Sequence, residues 1–250
     1  MRTMASILFW VYWSVCIVLY FILVTLAFVA TFPFDRYHQI PNRILKGLGF
    51  LMIRANPGWS VQFDGIEHYE RGQPTVFVAN HQSFLDMPLT YLLPWTMKWV
   101  AKKSLFHIPI LGWIIYMTGH LGIDRESLRS VKLLDKLVEP IHEGIPAMFF
   151  PEGTRTTTGD IGRFKNGAFT LARQYNFTLQ PLVLEGGYAA MPSGSWRFNF
   201  KADFYVSILP AVDPGEFKST EELREHVREA MTEKLDSIRR ANRKKKASAN

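Results

Sequence analysis

The chain has 250 residues, 48% of them apolar, with 29 Lys and Arg against 22 Asp and Glu for a net charge of +7. Its single cysteine, Cys16, excludes a disulfide-stapled module, and 14% aromatic with 20% charged residues excludes intrinsic disorder. A globular protein remains, with length for one domain of ordinary size once a membrane segment is set aside.

That segment comes first. No charged residue occurs from 4 to 34, a run of 31 positions, whereas about 20 helical residues cross a hydrocarbon core of about 30 Å. Pro33 is a natural stop, and Trp10, Tyr12 and Trp13 lie toward one end, where interfacial aromatics belong. A cleaved signal peptide competes with a retained anchor, but the apolar region is about twice the usual length for one. Cutting after Ala30 would also place Phe28 where a small residue belongs. Arg2 stands before the run while Arg36, Arg43, Lys46 and Arg54 follow it, so the positive-inside rule puts the body on the cytosolic face. The apolar stretch 44–53 is too short to cross and reads as an interfacial helix.

From Asn56 onward, short apolar runs alternate with helical patterns, the signature of an α/β sheet covered by helices. The patterns predict strands at 60–63, 75–79, 98–101, 147–150, 179–184 and 198–209, the last with a bend. Helices are predicted at 87–93, 110–118, 127–143, 167–175 and 220–245. Ser219 and Glu222 form a capping box for the last of these, and Leu223, Val227, Met231, Leu235 and Ile238 recur on one face. Residues 104–123 carry no formal charge, but Pro109, Gly112, Gly119 and Gly122 argue against a continuous spanning helix. The stretch is either the wall of an acyl-chain site or a surface dipping into the membrane, or else a core helix with its loops.

The first residues able to do chemistry are Asn80-His81-Gln82-Ser83-Phe84-Leu85-Asp86, directly after an apolar strand, where α/β sheets present functional loops. His81 and Asp86 lie about 140° apart on a regular helix. They can meet if Asp86 caps the helix at Met87-Pro88 and the loop curls back. A carboxylate on one imidazole nitrogen would fix the tautomer and leave the other nitrogen basic; the plainer reading makes Asp86 a helix cap and nothing more. No G-x-S-x-G elbow, H-E-x-x-H spacing, cysteine cluster or Walker loop occurs, so neither a protein nucleophile nor a metal is expected. A catalytic His81 would therefore activate a hydroxyl of the substrate itself. A second candidate, Phe150-Pro151-Glu152-Gly153-Thr154-Arg155, also ends an apolar run, and suits a hydroxyl-bearing anionic ligand as readily as a surface turn. Lys102-Lys103 and Asp124-Arg125 add basic residues at loop positions in the same half of the chain.

Taken in order, Asn80-His81 with Asp86, Gly119 through Asp124-Arg125, Phe150 through Arg155, and Pro181-Leu182-Val183 resemble the four motifs of the glycerolipid acyltransferases, most closely the lysophosphatidic acid acyltransferases. The likeness extends over about residues 59–209 and includes Lys102-Lys103 and the segment Phe164 to Phe169. It implies an α/β fold, one acyltransferase domain with a central mixed sheet flanked by helices behind an N-terminal membrane helix. It further implies acyl transfer from acyl-carrier protein or acyl-CoA, as a donor substrate and with no cofactor or metal, to a lysophospholipid hydroxyl. In that scheme His81 is the base and Asp86 its orienting partner. Arg125, Arg155 and Lys102 hold the phosphate, and Glu152, Gly153 and Thr154 border the glycerol region. Gly122 stands where the second motif commonly has an aromatic residue, which leaves the acceptor open between lysophosphatidate and another lysophospholipid or lyso-aminolipid. A non-catalytic membrane scaffold is the reading from another class. The expected division is 1–55 membrane anchor and interfacial helix, 56–238 acyltransferase domain, and 239–250 a basic tail.

The tail holds Arg239, Arg240, Arg243, Lys244, Lys245 and Lys246, beyond the last acid, Asp236. A membrane-anchored chain already has an anionic lipid surface beside it, so nucleic acid is not an expected partner. A disordered solubilising tail explains the charges equally well.

Overall fold

The computed structural model describes residues 2–124 and 133–248. Seven strands form a mixed sheet in the order β1-β7-β6-β2-β5-β3-β4. They are β1, Trp59–Asp64; β2, Thr75–Ala79; β3, Lys98–Lys102; β4, Leu121–Ile123; β5, Ala147–Phe149; β6, Thr178–Glu185; and β7, Ala202–Ile208. Strands β2 to β6 run parallel, β7 turns back against β6, and β1 follows β7. The helices are α1, Arg2–Thr31; α2, Gln39–Arg54; α3, Asp86–Thr90; α4, Leu111–Met117; α5, Val138–His142; α6, Gly167–Tyr175; α7, Gly187–Ala190; and α8, Thr220–Ser248.

Every residue of β2 is buried, and the period of two along a strand divides it between two cores. Phe77 and Ala79 join Leu182, Leu184, Trp99, Leu85 and Leu89 under α1 and α2. Val76 and Val78 join Leu179, Val183, Phe169, Leu223, Val227 and Met231 under α6 and α8.

Strand β2 and helix α6 fall at their predicted bounds, 75–79 and 167–175. Other elements differ for identifiable reasons. The strand expected at 198–209 begins only at Ala202, because Phe198 and Phe200 leave the sheet to pack against Phe9 of α1. Of the helix expected at 127–143, residues 127–132 lie outside the described residues; the rest is a 3₁₀ turn, Asp135–Leu137, followed by α5. Residues 104–123 are broken as the glycines and proline suggest, into a 3₁₀ turn ending at His107, α4, and the edge strand β4 that periodicity did not reveal.

Among the described residues, α1 is the one helix long and apolar enough to cross a membrane. It nevertheless lies along the body. Arg2 Nε donates to the Phe198 carbonyl at one end, Trp13 Nε1 donates to the Met52 carbonyl, and Phe28 meets Tyr116 at the other end. The apolar side of α2, read from sequence as facing lipid, is used largely on protein: Leu45, Leu48, Met52 and Ile53 are buried, leaving Phe50 and Leu51 outside. Helix α8 runs without a break through the boundary placed at 238/239. Arg239, assigned to the tail, is fastened to the body at Asp160, Glu185 and Gly159.

Candidate active site

Strand β2 ends on Asn80, whose side chain exchanges two hydrogen bonds with the backbone of Leu184, each 2.8 Å. This fixes β2 to β6 just where the chain leaves the sheet. The next residue, His81, is held by both backbone groups: its N–H donates to Glu152 Oε1 at 2.8 Å and its carbonyl accepts from the Thr156 N–H at 2.8 Å. Its only remaining freedom is the ring, which lies flat on Phe150, 4.1 Å between centroids and 16° between planes.

Asp86 meets the ring 2.8 Å from Nδ1. The carboxylate does not cap α3. Oδ2 instead accepts from the Gln82 N–H at 2.6 Å and the Ser83 N–H at 2.7 Å, so the loop curls around the acid that follows it. Two backbone N–H donors thus converge on this fully buried oxygen, which faces the ring as an acceptor. An acceptor-only carboxylate requires the proton of a neutral imidazole to sit on Nδ1, which leaves Nε2 as a base. Among the described residues Nε2 has no hydrogen-bond partner. Close approach at Gly187 makes room for the acid, since a Cβ there would lie 2.7 Å from Asp86 Oδ1.

Glu152 bridges two loops, accepting from His81 through Oε1 and from the Gly162 N–H through Oε2 at 3.0 Å. Burial pushes its carboxyl above the usual range, and these two N–H groups partly offset that. Gly153 has φ +74°, the left-handed region that favours glycine, with the Lys165 side chain over it.

His81 and Arg155 open into one apolar pocket of about 230 Å³, walled by Ile17 of α1, Leu48 and Met52 of α2, Pro88 and Tyr91 near α3, and Ile114 and Ile115 of α4. Part of the uncharged stretch is thus its wall. Tyr91 and His120 also line it, joined at 2.9 Å. The Trp99 N–H donates to His120 Nδ1, so Nε2–H must donate to Tyr91. Burial drives this ring well below its ordinary 6.5, with Lys98 adding to the effect, and keeps it neutral.

The structure therefore brings His81, Asp86, Glu152 and Arg155 together. Thr154 is exposed beside them, Lys102 is exposed at the end of β3, and Arg125 lies outside the described residues. Gly122 is overhung by the Phe106 ring, 2.7 Å from where its Cβ would be, so an aromatic group covers this position from elsewhere in the chain. Sequence reasoning missed the outer support. Gln82 Nε2 donates to the Gly159 carbonyl at 3.0 Å and to Glu185 Oε2 at 2.8 Å, and Arg239 holds the same two groups from α8.

Residues 60–185 match the model of a family described as Acyltransferase. The chain is 34% identical to a 1-acyl-sn-glycerol-3-phosphate acyltransferase of Chlamydomonas reinhardtii over 81% of its own length and 60% of that protein. It is 31% identical to the 1-acyl-sn-glycerol-3-phosphate acyltransferase of Saccharomyces cerevisiae, over 72% and 61%. It thus spans about three-fifths of the length of these relatives. The crystal structure of the 1-acyl-sn-glycerophosphate (LPA) acyltransferase PlsC from Thermotoga maritima superposes with a TM-score of 0.80 at 26% identity, covering 96% of this chain and 98% of that one. With a family match across half of its length and the same fold from end to end, the chain belongs to the acyltransferase family.

Proposed function

We propose that the protein transfers a fatty acyl group from a thioester, on acyl-carrier protein or coenzyme A, to the 2-hydroxyl of 1-acyl-glycerol-3-phosphate, giving phosphatidate. The observation that carries this reading is the oriented His81 with a free Nε2 at the mouth of an apolar pocket that also presents Arg155. The acceptor hydroxyl gives its proton to Nε2 as its oxygen attacks the thioester carbonyl. Asp86 stabilises the imidazolium so formed, and the proton passes to the departing thiolate as the new ester is completed. The names of the relatives support lysophosphatidate as acceptor. Arg155 is suited to its phosphate by a planar, permanently charged fork, and Lys102 and Arg125 are proposed to assist.

A membrane seat fits the same reading. The exposed side of α1 carries Leu8, Val11, Leu19, Leu26 and Val29, and α4 adds Trp113 and Tyr116, which touch Phe21 and Phe28 of α1. This continuous apolar surface is proposed to lie in the bilayer with the catalytic domain on the cytosolic side. Acyl transfer to lysophosphatidate by the purified full-length protein, set beside a neutral monoacylglycerol, tests the assignment. Arg155→Gln should impair the phosphate-bearing acceptor far more than the neutral one; equal loss on both would make Arg155 structural.

A further inference from the structure

The last turns of α8 carry Arg243, Lys244 and Lys245, all exposed, with exposed Arg240 one turn earlier. No ion pair joins any of the four to a carboxylate among the described residues. The position of this ridge is what makes it informative. Helix α8 packs under the core on the opposite side of the sheet from α1 and α2, so its charges face water rather than the apolar surface. Arg239 bonds Asp160 at 2.7 Å and the Gly159 carbonyl at 2.6 Å, and reaches Glu185 at the carboxyl end of β6. The same Gly159 and Glu185 hold Gln82, the neighbour of His81. The nine residues after Arg239, through Ser248, carry the ridge about 13 Å onward from this catalytic edge.

We propose that this ridge docks the acyl donor as an acidic carrier protein bearing the chain on a thioester. The inference rests on the proposed acyl transfer. Arg240 borders a cavity that also holds Asp64 and Glu233, a poor setting for a small anion, while exposed Arg243, Lys244 and Lys245 continue along the helix beyond it and fit a protein surface of opposite charge. Being on the water side, it meets a soluble partner, and being tied to the His81 loop through Arg239, it sets that partner down beside the pocket mouth. Attraction between such patches acts mainly on encounter and weakens with salt.

The test compares two donors for the full-length protein in neutral detergent micelles, acyl-carrier protein and acyl-CoA, with lysophosphatidate as acceptor. Replacing Arg243→Glu, Lys244→Glu and Lys245→Glu together should lower kcat/KM for the carrier-borne chain about tenfold or more, through KM. The CoA reaction should stay within about twofold. The glutamine triple variant should show a smaller loss in the same direction, and added salt should slow the wild type with the carrier more than the variants. Unchanged kinetics with both donors, or equal losses with both, overturns the proposal. So does a loss confined to sedimentation with anionic vesicles, which would assign the ridge to lipid. A wild type that uses CoA but no acidic carrier refutes the docking and leaves acyl transfer standing; inactivity with both donors refutes acyl transfer itself.

Discussion

Helices α1 and α8 are nearly equal in length, 30 and 29 residues, and cover opposite faces of the same sheet. On α8, Leu223, Val227, Met231 and Leu235 are at most 1% exposed, in a chain segment otherwise dense with charge. On α1 only Ser6, Trp13, Cys16 and Val24 are buried, while Leu8, Leu19, Leu26 and Val29 are at least 54% exposed. Helix α8 satisfies its apolar stripe within the fold, as an amphipathic helix in water must. Helix α1 does not, and the proposed seat in the bilayer is what would cover its outer side. The reacting groups sit where the two layers meet, with Asp86 on α3 in one and Arg239 on α8 in the other.

The comparison can be broken first at that meeting point. His81→Ala should lower turnover by about 10²- to 10⁴-fold with the circular dichroism spectrum unchanged, the usual contribution of general-base catalysis. Asp86→Asn should be similarly severe although it can still accept the Gln82 and Ser83 amides, because the charge that stabilises the imidazolium is gone. An Asn variant that folds and retains most activity would show the pair to be structural.

Next, Met231→Ala on the buried face of α8 should cost about 2–5 kcal/mol of stability, measured by denaturant unfolding in detergent. Arg239→Ala should lower kcat by about tenfold, on the scale of a lost charge-assisted contact or two, with Arg239→Lys recovering part of it. A uniform loss of folded protein without a change in kcat would confine Arg239 to holding α8 in place.

A smaller effect tests the core under α1 and α2 by pH. Buried His120 stays neutral while an unfolded chain takes up its proton below 6.5, so the stability it confers is present above that value and lost as pH falls toward its depressed folded value. His120→Asn should flatten the acid slope of unfolding free energy by about 1.4 kcal/mol per pH unit in that window. An unaltered slope would mean that the ring protonates in place. Smallest in stability is Leu19→Ser on the outer side of α1, expected within about 0.5 kcal/mol. Its readout is weakened membrane partition in carbonate extraction, which no exposed substitution on α8 should reproduce.

Local features were legible because they are written in local pattern. The apolar run of β2 and the helical spacing of α6 set their own limits, and the residues around His81, Glu152 and Arg155 stand at strand ends in short, dense motifs. Illegible were the contacts that exist only once the strands are ordered. Asn80 meets Leu184 across 104 positions, and Gln82 meets Arg239 only through Gly159 and Glu185. Strand β4 has three residues, too few for any periodicity. Asp86 meets His81 as the pattern suggests, but the cap expected of it is not formed, because the amides that claim its carboxylate lie three and four residues behind and not in the helix it begins. The run of charge at the C-terminus gave no hint that its first member is fastened to the body and the rest stand clear.

Ile17 lies on α1 between outward-facing Val15 and Val18 and the pocket that holds His81, so one wall of that pocket is a helix whose other side is proposed to touch lipid. An acceptor reaching this site by lateral diffusion is counted per unit of surface, not per litre. At fixed total lysophosphatidate, adding inert phospholipid should then slow the reaction by surface dilution, while diluting enzyme and lipid together at a constant donor concentration should leave the rate per enzyme nearly constant. On the proposed reaction, the acceptor's Michaelis constant would then be a mole fraction, while the donor's would remain a molarity.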